Sequence, residues 1–221
     1  MKAKNQMFTY LYCLGIFFIL AKPSLCQDSI AIHRFPSLHG STGVFKTTDA
    51  FTAGKLKGTI SLFENVRYDS LDQLVFNFGV HDQLDVGLQS GIPSHDPTVN
   101  FVFKFRGTNQ GNFFGFKHKL LPATAIGFNR QSTYAAASYY LTNWASTIGY
   151  HFSDGKQSLF ANLSYHHKSG LAIQIEYLKN HFGSAIRFKH RQFTGGIFTA
   201  FELDKGRFEA SKTYWSIGFD F

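Results

Sequence analysis

The sequence predicts an all-β fold: a closed antiparallel transmembrane β-barrel of about 12 strands, with 10 as the count if two short runs merge. Three observations predict it. From residue 55 onward apolar and polar side chains alternate with the period of two that belongs to strands. The alternating runs recur at near-uniform spacing with turn residues between them, and the last run closes on an aromatic, Phe221. The pattern is clearest over 170–189, where Leu171, Ile173, Ile175 and Tyr177 share one face and Ala172, Gln174 and Glu176 the other. After a turn near Asn180, Ile186 and Phe188 resume the apolar face, with Arg187 and Lys189 opposite.

The chain opens with Lys2 and Lys4, an apolar run over 10–21 and a Pro23-Ser24-Leu25-Cys26-Gln27 boundary, the make-up of a secretory signal peptide over 1–26 cleaved near Cys26. Cys26 also fits an acylated lipoprotein cysteine, although Leu25 before it is bulkier than that processing accepts. The apolar run is too short to span a bilayer as a helix, and no later stretch reaches the 18 or so apolar residues a helical span needs. A membrane crossing by this chain is therefore a barrel. Both cysteines, Cys13 and Cys26, fall in the leader, so the mature chain has neither a disulfide nor a cysteine-bound metal. Without Lys2, Lys4 and Lys22 the mature chain keeps 19 basic residues against 14 acidic. That mild surplus, with no Lys/Arg block, does not mark a nucleic-acid binder.

Residues 27–54 show little alternation and read as an irregular lead-in, with Gly40, Gly43 and Gly54 around Thr47-Thr48-Asp49-Ala50-Phe51. The barrel follows over 55–221, with strands expected at 55–64, 71–80, 84–92, 98–106, 121–130, 133–141, 144–152, 157–166, 169–178, 182–190, 192–202 and 207–221. Turn chemistry separates them, as at His81-Asp82-Gln83, Ser153-Asp154-Gly155-Lys156 and Asp204-Lys205-Gly206. Only 113–121 has room for a short helix.

Phasing these strands collects Ile60, Leu62, Leu74, Phe76, Phe101, Phe105, Ile173, Ile175, Ile186, Phe188, Ile217 and Phe219 on one face. Asn77, Gln89, Asn162 and Gln174 fall on the other, with the charges Lys57, Asp85, Lys104, Arg106, Glu176, Arg187, Lys189 and Asp220. A soluble secreted β-sandwich binding module would alternate in the same way. Aromatics at strand ends (Tyr139, Tyr140, Trp144, Tyr150, Phe152) form the interfacial girdle that a barrel needs and a sandwich does not. With 26 Phe and 10 Tyr but little overall hydrophobicity, the composition suits a wall greasy on one side only. The polar face is then a lumen, narrow enough for paired charges such as Glu176 with Arg187 across the turn and Asp220 with a neighbouring strand.

Short motifs carry a family resemblance. Gly43-Val44-Phe45-Lys46-Thr47-Thr48-Asp49-Ala50, Gly54-Lys55-Leu56, Phe78-Gly79-Val80-His81-Asp82-Gln83-Leu84-Asp85-Val86-Gly87-Leu88 and Gly170-Leu171-Ala172-Ile173-Gln174-Ile175-Glu176-Tyr177 resemble segments of YjbH-like, exopolysaccharide-associated outer-membrane barrels. That resemblance implies a barrel with no catalytic residues to carry over.

Enzyme chemistry finds little support. Ser164 and His166 share a face, but it is the lumen face, and positions two apart on a strand stand roughly 6 to 7 Å apart at Cβ, which argues against a nucleophile and base in hydrogen-bond reach. His166 and His167 point to opposite faces and cannot chelate one ion. The expectation is no catalytic residue, no cofactor and no metal. The chain reads as a bacterial outer-membrane barrel with a structural or transport role, passage of anionic solutes and a link to exopolysaccharide export being its candidate forms. An outer-membrane hydrolase of lipid A or phospholipid is the competing reading. Expected partners are outer-membrane lipid and lipopolysaccharide, the barrel assembly machinery and polysaccharide, and not nucleic acid.

Overall fold

The structure, a computed structural model, describes residues 35, 37, 43, 47–66, 72–92, 99–108, 110, 112–113, 116–117, 121–129, 132–153, 155–179, 181–204 and 207–221. The leader over 1–26, its cleavage or lipidation at Cys26 and the turn residue Asn180 lie outside these. Strands run β1 (Gly58–Asn65), β2 (Asp72–His81), β3 (Leu84–Ile92), β4 (Val99–Thr108), β5 (Asn112–Phe113), β6 (Phe116–Lys117), β7 (Ala123–Asn129), β8 (Ser132–Leu141), β9 (Trp144–Ser153), β10 (Lys156–His166), β11 (Leu171–Leu178), β12 (His181–His190), β13 (Phe193–Asp204) and β14 (Arg207–Asp220). All but β5 and β6 form one closed antiparallel barrel of 12 strands, each paired with its neighbour in sequence and β14 closing on β1. The expected boundaries agree with these to within a few residues. The stretch with room for a helix instead holds the two-residue β5–β6 hairpin. Gln110 beside it exchanges two 2.7 Å hydrogen bonds with the backbone of Tyr140, so its amide adds one more rung to the edge of the wall.

The period of two sorts the side chains as expected. Isoleucines 126, 148, 173, 186 and 197 stand exposed at mid-wall, with Phe101, Phe128, Phe152 and Phe182 toward one end of the strands and Trp144, Phe188, Phe193 and Phe219 toward the other. An aliphatic belt between two aromatic rings is the wall of a membrane barrel, aliphatic where lipid tails lie and aromatic at the interfaces. No soluble sandwich leaves so much apolar surface outside. The seam closes at the aromatic end of β14: Gly58 and Phe221 exchange backbone hydrogen bonds of 3.0 and 2.9 Å, and the Phe221 ring stacks on Phe76 and Phe78. Glycine at 58 leaves the space that this ring takes, since a Cβ there would stand 2.4 Å from it.

Inside, the wall is uneven. Phe63, Val75, Ala185, Phe198 and Tyr214 pack together on the β1–β2 and β12–β14 side. The β7–β9 side turns inward Ala123, Ala125, Ala136 and Ala145 with Tyr134, Tyr140, His151 and small polar residues, and the alanines leave a trough. The lead-in occupies it. Phe35, Ser37, Thr47, Thr48, Ala50, Phe51 and Thr52 are all buried, and Ala50 and Phe51 pack on the alanines. This segment leaves the lumen at Gly54, whose carbonyl oxygen would lie 2.0 Å from a Cβ on Gly79, so the crossing at the rim requires a glycine in β2.

A lysine in place of Ile186, 60% exposed at mid-wall, is expected to destabilise the folded barrel in lipid by about 2–4 kcal/mol. The same residue in place of the rim residue Arg191 is expected to leave stability unchanged. Urea titrations of folding into lipid vesicles, read by heat-modifiable migration, compare the two.

Candidate functional site

The lumen charges do not face an open channel. Asp85, Lys104, Glu176 and Arg187 are all at most 4% exposed, and all four touch the lead-in segment. Glu176 on β11 accepts hydrogen bonds from both the backbone N–H and the hydroxyl of Thr47, each 3.0 Å. Asn162 on β10 donates to the same hydroxyl at 2.9 Å and to the Thr48 carbonyl at 3.4 Å. Ser138 on β8 accepts from the Ala50 N–H at 2.8 Å, and both oxygens of Asp85 on β3 accept from the Ala53 N–H at 3.0 Å.

Lys104 on β4 ties the two bodies together. Its ammonium donates to the Phe51 carbonyl and stands 3.5 Å from the Asp49 carboxylate of the segment and 3.6 Å from Asp85 of the wall. One buried cation thus faces a carboxylate on each side and a carbonyl dipole, the compensation a buried ammonium needs. Asp49 also accepts from the Phe51 N–H at 3.0 Å, which fixes the bend that aims the Phe51 carbonyl at Lys104.

Arg187 on β12 and Glu176 attract each other through their charges, but they are not the cross-strand neighbours that the sequence suggested. The register sets Glu176 opposite Gly183 and Arg187 opposite Ala172, four residues along the strand. The Arg187 guanidinium lies instead between two rings, 4.2 Å from the centre of Phe35 and 4.9 Å from that of Phe198. Two aromatic faces stabilise a desolvated guanidinium by cation–π attraction. Asp220 does meet other strands, accepting from the Thr59 hydroxyl on β1 at 2.8 Å and pairing with Lys189 on β12. Arg106 shares the inward phase of Lys104 and is half-buried near the end that carries Phe221, while Lys57 is exposed at the rim before β1.

Ser164 and His166 are closer than strand spacing suggested. The hydroxyl and Nε2 are 2.9 Å apart because the longer imidazole leans along the strand toward the serine. The pair is buried, faces inward, and His166 stacks on Phe35, so no lipid on the outer wall reaches it. The cavity beside it holds about 20 Å³, room for a single water. Among the described residues no cluster of ligating side chains could hold a metal.

Sequence reasoning assigned the buried wall charges to the lumen but missed Ser138, Asn162 as a donor, and the whole of 47–53. The run of inward alanines on β7–β9 was the readable signal, since it leaves a volume that something must fill. Lys104→Met is expected to cost about 3–5 kcal/mol by stranding Asp85 and Asp49. The triple change Lys104→Met, Asp85→Asn, Asp49→Asn should recover much of it, as the urea midpoints of the purified proteins would show.

No protein-family model matches the chain, and no curated protein matches it. Among solved structures it is similar to the KdgM porin, at 10% identity over 75% of this chain and 98% of that one with a TM-score of 0.48. It is similar also to the NanC porin, at 11% identity over 76% and 99% with a TM-score of 0.44. A third is the N-terminal β-barrel domain of Pseudomonas aeruginosa OprF, at 12% identity over 76% and 99% with a TM-score of 0.25. At these values the likeness adds nothing to what the strand pairing itself shows, a closed β-barrel.

Proposed function

We propose that this protein is a bacterial outer-membrane passage, held shut by its own residues 47–53, that carries anions once the segment withdraws. The apolar belt with aromatic ends supports the membrane, and the exported reading of the N-terminus supports the compartment. The observation that carries the gating is the chemistry of the contact: carboxylate, hydroxyl, carboxamide and ammonium groups of the wall hold the segment. Water replaces such partners at little cost, so the emptied lumen remains a hydrated surface; an apolar contact would not. Withdrawal also removes Asp49. The wall charges named from the sequence then stand at Lys57, Lys104, Arg106, Arg187 and Lys189 against Asp85, Glu176 and Asp220, an excess that favours anionic solutes, acidic polysaccharide among them.

The test uses the whole chain with Cys13→Ser, Cys26→Ser, Ala50→Cys and Ser138→Cys. Oxidised, it should be silent in planar bilayers; reduced, it should open with anions more permeant than cations, and Arg187→Glu with Lys104→Glu should lower that ratio. Equal current in both redox states sinks the gate, and cation preference sinks the charge argument. The protein is proposed not to be an enzyme, so lipid A and phospholipid from cells with and without the gene should have identical masses. A missing acyl chain restored by the wild type but not by Ser164→Ala would favour the hydrolase.

A further inference from the structure

The outer face of β11–β14 is indented. A groove of about 560 Å³ lies there, within the size range of small-molecule sites, and its lining carries no charged side chain. Strand register accounts for it. Ile173, Ile186 and Ile197 stand side by side in one outward row, and Tyr177, Phe182 and Phe201 form another, nearer the end away from Phe221. Between these rows Ile175 is followed across the strands by Ser184, Thr199 and Thr213, so short hydroxyl side chains stand where the rest of the belt has long apolar ones. The hydroxyls are out of keeping with their surroundings. A polar group facing hydrocarbon is costly unless it is hydrogen-bonded. Ser184 and Thr199 are directly opposite in register, yet among the described residues neither side chain makes a hydrogen bond. Ser146 on β9 also faces outward, and its hydroxyl donates to the Tyr139 carbonyl at 3.4 Å. An oxygen carried by a lipid chain supplies the partner that Ser184 and Thr199 lack; plain hydrocarbon does not.

We propose that this groove is a site for one acyl chain of lipid A, recognised by the hydroxyl that such chains carry on their β-carbon. The isoleucines hold the hydrocarbon, and Ser184 and Thr199 exchange hydrogen bonds with that hydroxyl, which donates and accepts as they do. Depth and leaflet favour this occupant. The hydroxyl row lies two residues, roughly 7 Å along the strand, inside the aromatic row that marks the headgroup level. The ester carbonyls of a phospholipid stay closer to that level. β1 starts and β14 stops at the Phe221 end, which a barrel inserted from the periplasm keeps on the periplasmic side, so the groove opens toward the outer leaflet. With no charge in its lining, the groove reads the chain and not the phosphates of the lipid. The site is independent of the gate and of conduction, since it lies on the opposite face of the wall.

The probe is a synthetic lipid A bearing β-hydroxytetradecanoyl chains, set against the same lipid with plain tetradecanoyl chains, each at equal concentration in detergent with the purified full chain. Native mass spectrometry reads the bound fraction. The hydroxylated lipid should be retained at least fivefold more. Ser184→Ala with Thr199→Val should bring that ratio to within twofold of unity, whereas Ser146→Ala should leave it unchanged, since that hydroxyl already has its acceptor. Ser184→Leu, which fills the hollow, should lower retention of both lipids, and removal of the phosphates should not alter the ratio. Equal retention of the two lipids by the wild type, a ratio that survives the double change, or one that disappears with the phosphates overturns the proposal. So does a diester phospholipid retained as well as the hydroxylated lipid. Should the double variant fail to fold, Ser184→Ala and Thr199→Val taken singly should each lower the ratio at least twofold, and a ratio unchanged in both overturns it.

Discussion

Twelve strands make a circle too wide for its own side chains. A barrel of about 8 strands is filled by the residues it turns inward, and one of about 16 is left open; the present wall lies between them, and part of its interior is filled by something other than its strands. Everything distinctive inside the molecule answers that requirement. The β1–β2 and β12–β14 sector meets it with Phe63, Phe198 and Tyr214, whereas the alanine-lined sector meets it with a length of chain from outside the wall. Buried charge follows from that choice. A main chain inside a lumen brings N–H and carbonyl groups that cannot be left bare, and the wall supplies Glu176, Ser138, Asp85 and Lys104 to receive them.

The same polar set that looks suited to lining a channel therefore holds an interior segment in place. The two roles need the same residue types and differ in geometry. Lys104 makes the difference visible: a cation lining an aqueous pore needs only water, whereas this one is fully enclosed between two carboxylates and a carbonyl. Buried ion pairs add little to stability beyond what packed apolar groups would give, but they are intolerant of error. Such an arrangement fixes one seating of the segment and disfavours neighbouring ones.

The wall was legible in the sequence because a period of two is local and repeated at every strand. Ile186 and Arg187 need only each other to declare which way they face. The segment was not legible, because nothing local distinguishes Thr47-Thr48-Asp49-Ala50 from a surface loop: its residues are small and polar, and its partners lie far along the chain, Glu176 at a separation of 129 residues. The misplaced Glu176–Arg187 pair has a related cause. Phasing gives the face of a residue but not its height, and height is set by register, which places the two four residues apart. Ser164 and His166 went astray for the opposite reason, since Cβ spacing ignores the reach of an imidazole.

The glycine crossing at the rim ties the interior segment to the first strand of the wall. Leu56 donates to the Gly79 carbonyl and Gly79 to that of Lys57, at 2.8 and 2.9 Å, so the short link between Gly54 and β1 is stitched to β2. On the gating proposed above, a segment anchored so close to the opening would move as a hinged arm, its tip no farther from the pivot than about 3.5 Å per residue allows. Its return to the lumen would then be a first-order event of each single barrel, at a rate indifferent to how many copies the membrane holds or how far the protein is diluted.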